Sequence, residues 1–222
     1  MTRTVQPEWA TELWRRARFR FALKFAGVTL FMCVFFGAYF YVLRHPLGPV
    51  TTMPLTAFDR ALPFQSGAFA AYISLWVYVG IPPGQMLRMR DTLIYAAWMA
   101  GLCATGLLLF TLWPTAVPTD WRSVGVEGHA GFALLQGIDT NGNACPSLHV
   151  ASATFTALWI WRWLRAVGAP AWASLPNWLW WLLIVHSTIA TRQHVVLDVA
   201  GGVLLALPFA WASLRWWRPG PR

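Results

Sequence analysis

Uncharged apolar stretches as long as a bilayer is thick constrain this chain more than anything else in it. Phe25 to Leu43 contains no charged residue, and a hydrocarbon core of about 30 Å needs roughly 20 such residues in helical form. Further runs lie at Gly67 to Ile81, Thr92 to Trp113, Ser147 to Leu164, Trp172 to Ala190 and His194 to Trp216. The expectation is therefore an all-α, polytopic membrane helix bundle with about six transmembrane helices. The second run is short and the fifth is interrupted by Pro176 and Asn177. Composition agrees, with 57% hydrophobic and only 11% charged residues, the charged share being under half the soluble norm of roughly 25%. One integral membrane domain over 1–222 is expected, with a basic cytoplasmic segment 1–24 and a six-helix bundle over 25–216. The first run exceeds a signal-peptide core of roughly 7–15 residues and no Ala-x-Ala site follows, so it reads as an uncleaved span.

The net charge of +9 has to be placed before it is interpreted. Alternating loops put Arg3, Arg15, Arg16, Arg18, Arg20, Lys24, Arg88, Arg90, Arg162, Arg165, Arg215, Arg218 and Arg222 on one side, and Arg44, Arg60, Arg122 and Arg192 on the other. By the positive-inside rule the richer side is cytoplasmic. The chain is thus expected in the inner (plasma) membrane with both termini cytoplasmic, and the opposite loops periplasmic or extracellular. The basic excess then signals topology and affinity for anionic lipid rather than nucleic-acid binding. The first two dozen residues, with Trp9 and Trp14 among the arginines, read as an amphipathic stretch along the membrane surface.

Other features have plain readings. Leu55 to Leu62, flanked by prolines, reads as a short interfacial helix, either a wall for lipid access or a simple connector. Asp139 to Asn143 has a superficial calcium-loop look with the wrong spacing, and reads as a polar turn. Many of the 16 tryptophans fall near the interfaces, as aromatic belts do. Cys33, Cys103 and Cys145 imply no disulfide framework.

The chemistry concentrates in Ser187 to Asp198, where His194 and Asp198 stand four residues apart at the mouth of an apolar run. On a helix that spacing stacks the side chains, so the carboxylate holds the imidazole. His149 opens another apolar run, and the topology puts all three residues on the same side of the membrane. Taken singly, a histidine at a helix end is usually structural, and His45, His129 and His186 keep that reading. Two histidines and an acid on one face call for a function. An imidazole oriented by Asp198 offers its free nitrogen as a nucleophile, and a second imidazole opposite can protonate a leaving alkoxide. Helix N-termini at Ser147 and His194 would aim backbone N–H groups at the same place, which suits a phosphate. From another class, His149 and His194 would be axial ligands of a bundle-embedded haem in an electron carrier, which a Soret band would reveal. That reading leaves Asp198 and the Pro146-Ser147 pair without a job. A non-catalytic scaffold is the third reading.

Pro146-Ser-Leu-His149, followed by His194 and Asp198, resembles the second and third signature motifs of the type 2 phosphatidic acid phosphatase and vanadium haloperoxidase superfamily. Leu148 and Ser187-Thr188 are similar to the variant found in its inositol phosphorylceramide synthase-like branch. The resemblance implies a membrane lipid phosphatase or phosphotransferase. In it His194 attacks phosphorus to form a phosphohistidine, Asp198 orients His194, and His149 protonates the departing alcohol and then activates water or an acceptor hydroxyl. Ser147 would donate to a phosphate oxygen. It also implies no metal and no cofactor, and as substrate a phospholipid or a polyprenyl- or sphingolipid-type phosphate. An inositolphosphotransferase-like transfer to a lipid is the alternative.

The chain departs from the resemblance in one respect. The first motif, Lys-x6-Arg-Pro, is absent, the only lysine is Lys24 on the other side, and Thr188 stands where an arginine is usual. Trp113 to Thr119 looks like a remnant of that motif without its arginine. Arg192 and Arg122 are the candidates to replace the missing cations, with Thr188 beside them in the phosphate site. If neither arginine reaches the site, a phosphodiester or pyrophosphate-linked lipid, or an acceptor-dependent transfer, fits better than a phosphomonoester.

Overall fold

The computed structural model of the chain describes residues 8–123 and 142–217. Arg3, His129, Arg218, Arg222 and the first part of the Asp139 to Asn143 turn lie outside them. Among the described residues the protein is all-α apart from one pair of two-residue strands.

Helix α1 (Glu8–Arg18) is short and charged, with Glu12 paired to Arg15 at 2.7 Å and also to Arg16. The chain turns at Arg20, whose φ of 50° is left-handed, into α2 (Phe21–Arg44). That helix has 24 residues, about 36 Å at 1.5 Å per residue. Among the described residues, three helices are long and apolar enough to cross a membrane: α2, the later Met89–Leu112 and Val196–Trp216. The expectation of six continuous spans is met by length and composition in these three.

The second apolar run is the clearest departure. Instead of one helix it forms a 3-10 turn at Ser66–Ala68, then α4 (Phe69–Ile73), α5 (Leu75–Tyr78) and α6 (Ile81–Gln85), after the small α3 (Ala57–Ala61). Ser74 sits at the break and turns its hydroxyl back to the Ala71 carbonyl at 2.7 Å, a bond that competes with a regular helical ladder. Pro82 and Pro83 lack the amide hydrogens a longer helix would need there.

The core is built around α9 (Leu148–Ala166), which packs on α7 (Met89–Leu112), α10 (Leu175–Ala190) and α11 (Val196–Trp216). Phe155, Trp159, Leu102, Ile184, Ala206 and Ala210 are buried together there. Polar ties fix the partners: Trp159 Nε1 donates to Ser213 Oγ at 2.9 Å, and Tyr78 Oη donates to Asn177 Oδ1 at 2.6 Å. Asn177 Nδ2 in turn donates to the Ala157 carbonyl at 3.1 Å. Pro176 and Asn177, read from sequence as an interruption of the fifth run, lie in the first turn of α10, where a missing N–H costs nothing.

The loops at the His149 end form a cap. Strand β1 (Thr51–Thr52) pairs in parallel with β2 (Thr115–Ala116), and Thr115 bridges on to Asn143. Beneath it Met53, Val117, Trp121, Ala144 and Val195 make a second small core. The proline-flanked segment at Leu55 to Leu62 contains α3, but α3 docks onto the start of α11 rather than forming a free interfacial wall.

The approach of α9 to α11 is set by Gly202. A Cβ there would stand 2.4 Å from the Ser147 carbonyl oxygen and 3.1 Å from Val150 Cβ, so the helices can meet only over a glycine. Gly202→Ala should therefore lower the melting temperature in detergent, by roughly 1–3 kcal/mol of overpacking, although alanine is the better helix former by about 1 kcal/mol. Gly27→Ala, with nothing within 4 Å, should be neutral or stabilising. Equal effects at the two sites would remove Gly202 as the determinant of the contact.

Candidate active site

His194 lies just before α11, not on it. After α10 the chain reverses through Arg192, whose φ is 57°, and the Thr188 carbonyl accepts both Gln193 N and His194 N at 3.0 Å. The helix starts only at Val196, so the four-residue spacing of His194 and Asp198 is not a helical repeat. The two nevertheless meet, because Asp198 in the first turn reaches backwards. Its Oδ2 accepts the Val195 N–H at 2.9 Å and stands 3.5 Å from His194 Nδ1. The nearer partner of Nδ1 is the Ala144 carbonyl, at 3.1 Å. Ala144 is itself fixed by its N–H to the Thr115 carbonyl at 3.0 Å. The first-motif remnant, Trp113 to Thr119, thus acts through its backbone, holding the strand that aims His194.

His149 is the second residue of α9, whose N-cap is Ser147; Ser147 Oγ accepts from Val150 N at 3.3 Å. Its ring lies flat against Tyr72, with centroids 4.1 Å apart and planes 15° from parallel, and Trp76 meets it edge-on at 6.0 Å. Among the described residues, His149 Nε2 is buried with no hydrogen-bond partner. A buried nitrogen left open in this way is costly, and it points to a ligand.

Both histidines line one cavity of about 660 Å³. The remainder of its wall is largely apolar, from Phe35, Tyr39 and Phe40 on α2 through Leu75, Met99 and Cys103. It continues along α2 as far as Phe19, Arg20 and Lys24, with Arg88 close by. Two imidazoles at one end of a long apolar chamber suit a molecule with a reactive polar head and a hydrocarbon tail.

The other expected residues are placed differently. Ser147 is fully buried, and its N–H donates to the Asp198 carbonyl at 3.0 Å, tying the starts of α9 and α11 together. Thr188 turns its hydroxyl back to the Val185 carbonyl at 2.8 Å, so its contribution runs through its own carbonyl. Arg192 donates to the Trp121 carbonyl and lies over the Trp121 ring at 5.0 Å. Arg122, on α8 (Thr119–Ser123), donates to Gln193 Oε1 at 3.0 Å. Ser147, Thr188 and the two arginines are not among the residues lining the cavity. Both arginines do gather at the turn carrying His194. Burial holds the Arg192 guanidinium below its ordinary pKa, and its Nε is buried without a partner.

Expecting the α11 N-terminus to offer its N–H groups to a phosphate also needs correction. The Val195 N–H is taken by Asp198, and the Val196 N–H goes to Asp59 Oδ1 at 2.9 Å. Asp59 is fully buried, and its Oδ2 accepts from Thr56 N and Thr56 Oγ1, both at 2.7 Å. Sequence reading passed over Asp59, although Thr56-Ala-Phe-Asp59 has the spacing of a capping box. What the pattern could not show is that the same carboxylate caps a second helix 137 positions away.

A helical membrane protein with two histidines from separate segments opening on one apolar chamber defines a class of lipid-handling sites. The chain belongs to the PAP2 superfamily, whose sequence pattern matches residues 60–212. Membership supports phosphatase- or phosphotransferase-type chemistry on a phosphate-bearing lipid in a membrane. No curated protein and no solved structure matches the chain.

Two outcomes follow from this geometry. Asp59→Ala leaves the Val196 and Thr56 donors buried and unanswered, at about 1–3 kcal/mol each. Its melting temperature should fall well below that of Asp59→Asn, whose carbonyl still accepts from Val196; equal melting would remove the cap. Burial, with the Asp198 charge second, pushes the Cys145 thiol up to about 11. In a Cys33→Ala, Cys103→Ala background its alkylation should keep accelerating through pH 9 and 10, and a plateau near pH 9 would contradict the assignment.

Proposed function

We propose that this protein is a membrane lipid phosphatase or phosphotransferase working through a phosphohistidine on His194. The observation that carries the reading is that His149 and His194, from separate segments, line one end of a single apolar cavity. With Nδ1 of His194 on the Ala144 carbonyl and beside Asp198, Nε2 is the nitrogen available for attack. In the first step the His194 Nε2 lone pair forms a bond to phosphorus as the ester P–O bond breaks, and His149, entering as the imidazolium, gives one ring proton to the leaving alkoxide. In the second, His149 takes a proton from water or an acceptor hydroxyl, whose oxygen displaces Nε2 and regenerates the enzyme. Asp198 supports the positive charge that His194 acquires on attack.

The tail of the substrate lies in the chamber along α2, and its phosphate lies at the histidine end. Arg192 and Arg122 supply positive charge from the adjoining turn, Arg192 by exchanging its Trp121 carbonyl for a phosphate oxygen. The basic residues of the α1–α2 and α6–α7 junctions support an orientation with this end of the chamber away from the cytoplasm. An inositol-like hydroxyl in place of water would make the enzyme a transferase of the inositol phosphorylceramide synthase kind.

Purified enzyme should hydrolyse or transfer phosphate from at least one member of a panel of phosphatidic acid, phosphodiester lipids and polyprenyl pyrophosphates, with and without inositol. His194→Ala should abolish turnover and also the alkali-stable, acid-labile phosphoprotein formed from ³²P-labelled substrate. Activity surviving in that variant would end the nucleophile assignment. Arg192→Ala should lower kcat/KM by about 10- to 100-fold, the worth of one charge-assisted hydrogen bond of roughly 1.5–3 kcal/mol. Unchanged kinetics would move the phosphate grip elsewhere.

A further inference from the structure

We infer that Tyr72 is the positioning residue for the general acid, its ring holding the His149 imidazole in one plane at the wall of the cavity. The inference rests on the reaction proposed above for its kinetic consequence, but its structural basis is independent. A histidine that serves as both acid and base must keep its ring in one orientation. The Tyr72 ring covers an imidazole face at 4.1 Å with a tilt of only 15°. A flat aromatic neighbour at that distance opposes rotation of the imidazole out of its plane. Trp76, one helical turn beyond Tyr72, closes the edge at 6.0 Å.

The broken second segment makes this possible. Tyr72 is in α4 and Trp76 in α5, on either side of the Ser74 break. Ser74 Oγ also receives the Trp180 indole N–H at 2.8 Å, which anchors the break to α10. The irregular backbone is thus pinned next to the ring it orients.

Loss of acid positioning hurts a poor leaving group and spares a good one, since a nitrophenolate departs without a proton. The test compares a long-chain alkyl phosphate with a nitrophenyl phosphate carrying the same tail. Tyr72→Leu should lower kcat on the alkyl ester by about 10- to 100-fold, on the nitrophenyl ester by no more than about threefold, and leave KM for both near wild type. Tyr72→Phe, which keeps the ring, should recover the alkyl-ester rate. Equal losses on the two esters would mean general damage to the fold and would overturn the inference, as would failure of Tyr72→Phe to recover. If the wild type turns over neither ester, the proposed reaction fails and ¹⁵N-histidine spectra decide the positioning by themselves. His149 should give one sharp set of ring ¹⁵N signals in wild type and Tyr72→Phe, and exchange-broadened signals in Tyr72→Leu. Signals as sharp in the leucine variant would overturn it.

Discussion

The contact of α11 with the start of α9 is the constraint on which the candidate site depends. Gly202 lets the Ser147 carbonyl sit where any side chain would collide with it, and the Ser147 N–H closes the contact onto the Asp198 carbonyl. One such hydrogen bond contributes only about 1 kcal/mol. Its importance is geometric: it sets the first turns of two helices side by side, one carrying His149 and the other following His194. Gly201 extends the same surface, with Cys145 Sγ and Pro146 Cβ within 3.1 and 3.3 Å of where its Cβ would be. The Cys145 to Ser147 turn is therefore seated on a flat glycine face, with Ala144, whose carbonyl meets His194 Nδ1, before it and His149 beyond it.

Carboxylates then do an unusual amount of internal work at the start of α11. Asp198 and Asp59 are each fully buried and each bound to a backbone N–H of the first turn. Acid at a helix N-terminus is favoured by the macrodipole, so both groups sit where burial of negative charge is least costly. The consequence is that this helix end is saturated and offers little to an anion. The cationic share of a phosphate site then falls to side chains, which is why the two arginines at the His194 turn matter for the proposed reaction, and why the lack of a Lys-x6-Arg-Pro motif is not made good by backbone.

Much of this was legible in the sequence, for identifiable reasons. The long apolar runs become helices because a membrane leaves the backbone no other partners, and α2, α7 and α11 follow their expected limits within a few residues. His149, His194 and Asp198 stood out because ionisable groups are rare at the mouths of such runs. Less legible was anything decided by long-range pairing. The second run looked continuous because hydropathy does not register a serine bonding back to its own helix. Tyr72 looked like one more aromatic in an apolar segment, and only the fold sets it against a residue far along the chain. Arg192 was read as a free cation, whereas its left-handed backbone and its bond to Trp121 make it part of the turn that aims His194. Thr188 was read by its side chain, although its carbonyl makes the contact that matters.

The chamber explains why the remaining wall is so loosely attached. Helix α2 lines it from Leu23 to Phe40, about 26 Å of rise, yet almost none of its most apolar stretch is buried by the rest of the protein. A helix in that position, with lipid on one side and an apolar cavity on the other, meets hydrocarbon on both faces and loses little by shifting. For a lipid substrate this matters twice. In the proposed reaction its tail reaches the chamber laterally without leaving the hydrocarbon region, so no apolar surface passes through water on the way. Contacts along that tail then hold a small head group against the two imidazoles, which is the way binding far from the reacting atoms is converted into rate. On that proposal the rigid half of the protein, α9 to α11 and the cap, carries the chemistry, and the yielding half, α2 with the broken second segment, receives the chain. Tyr72 belongs to the yielding half by sequence and to the rigid half by contact, because Ser74 and Trp180 tie its segment to α10.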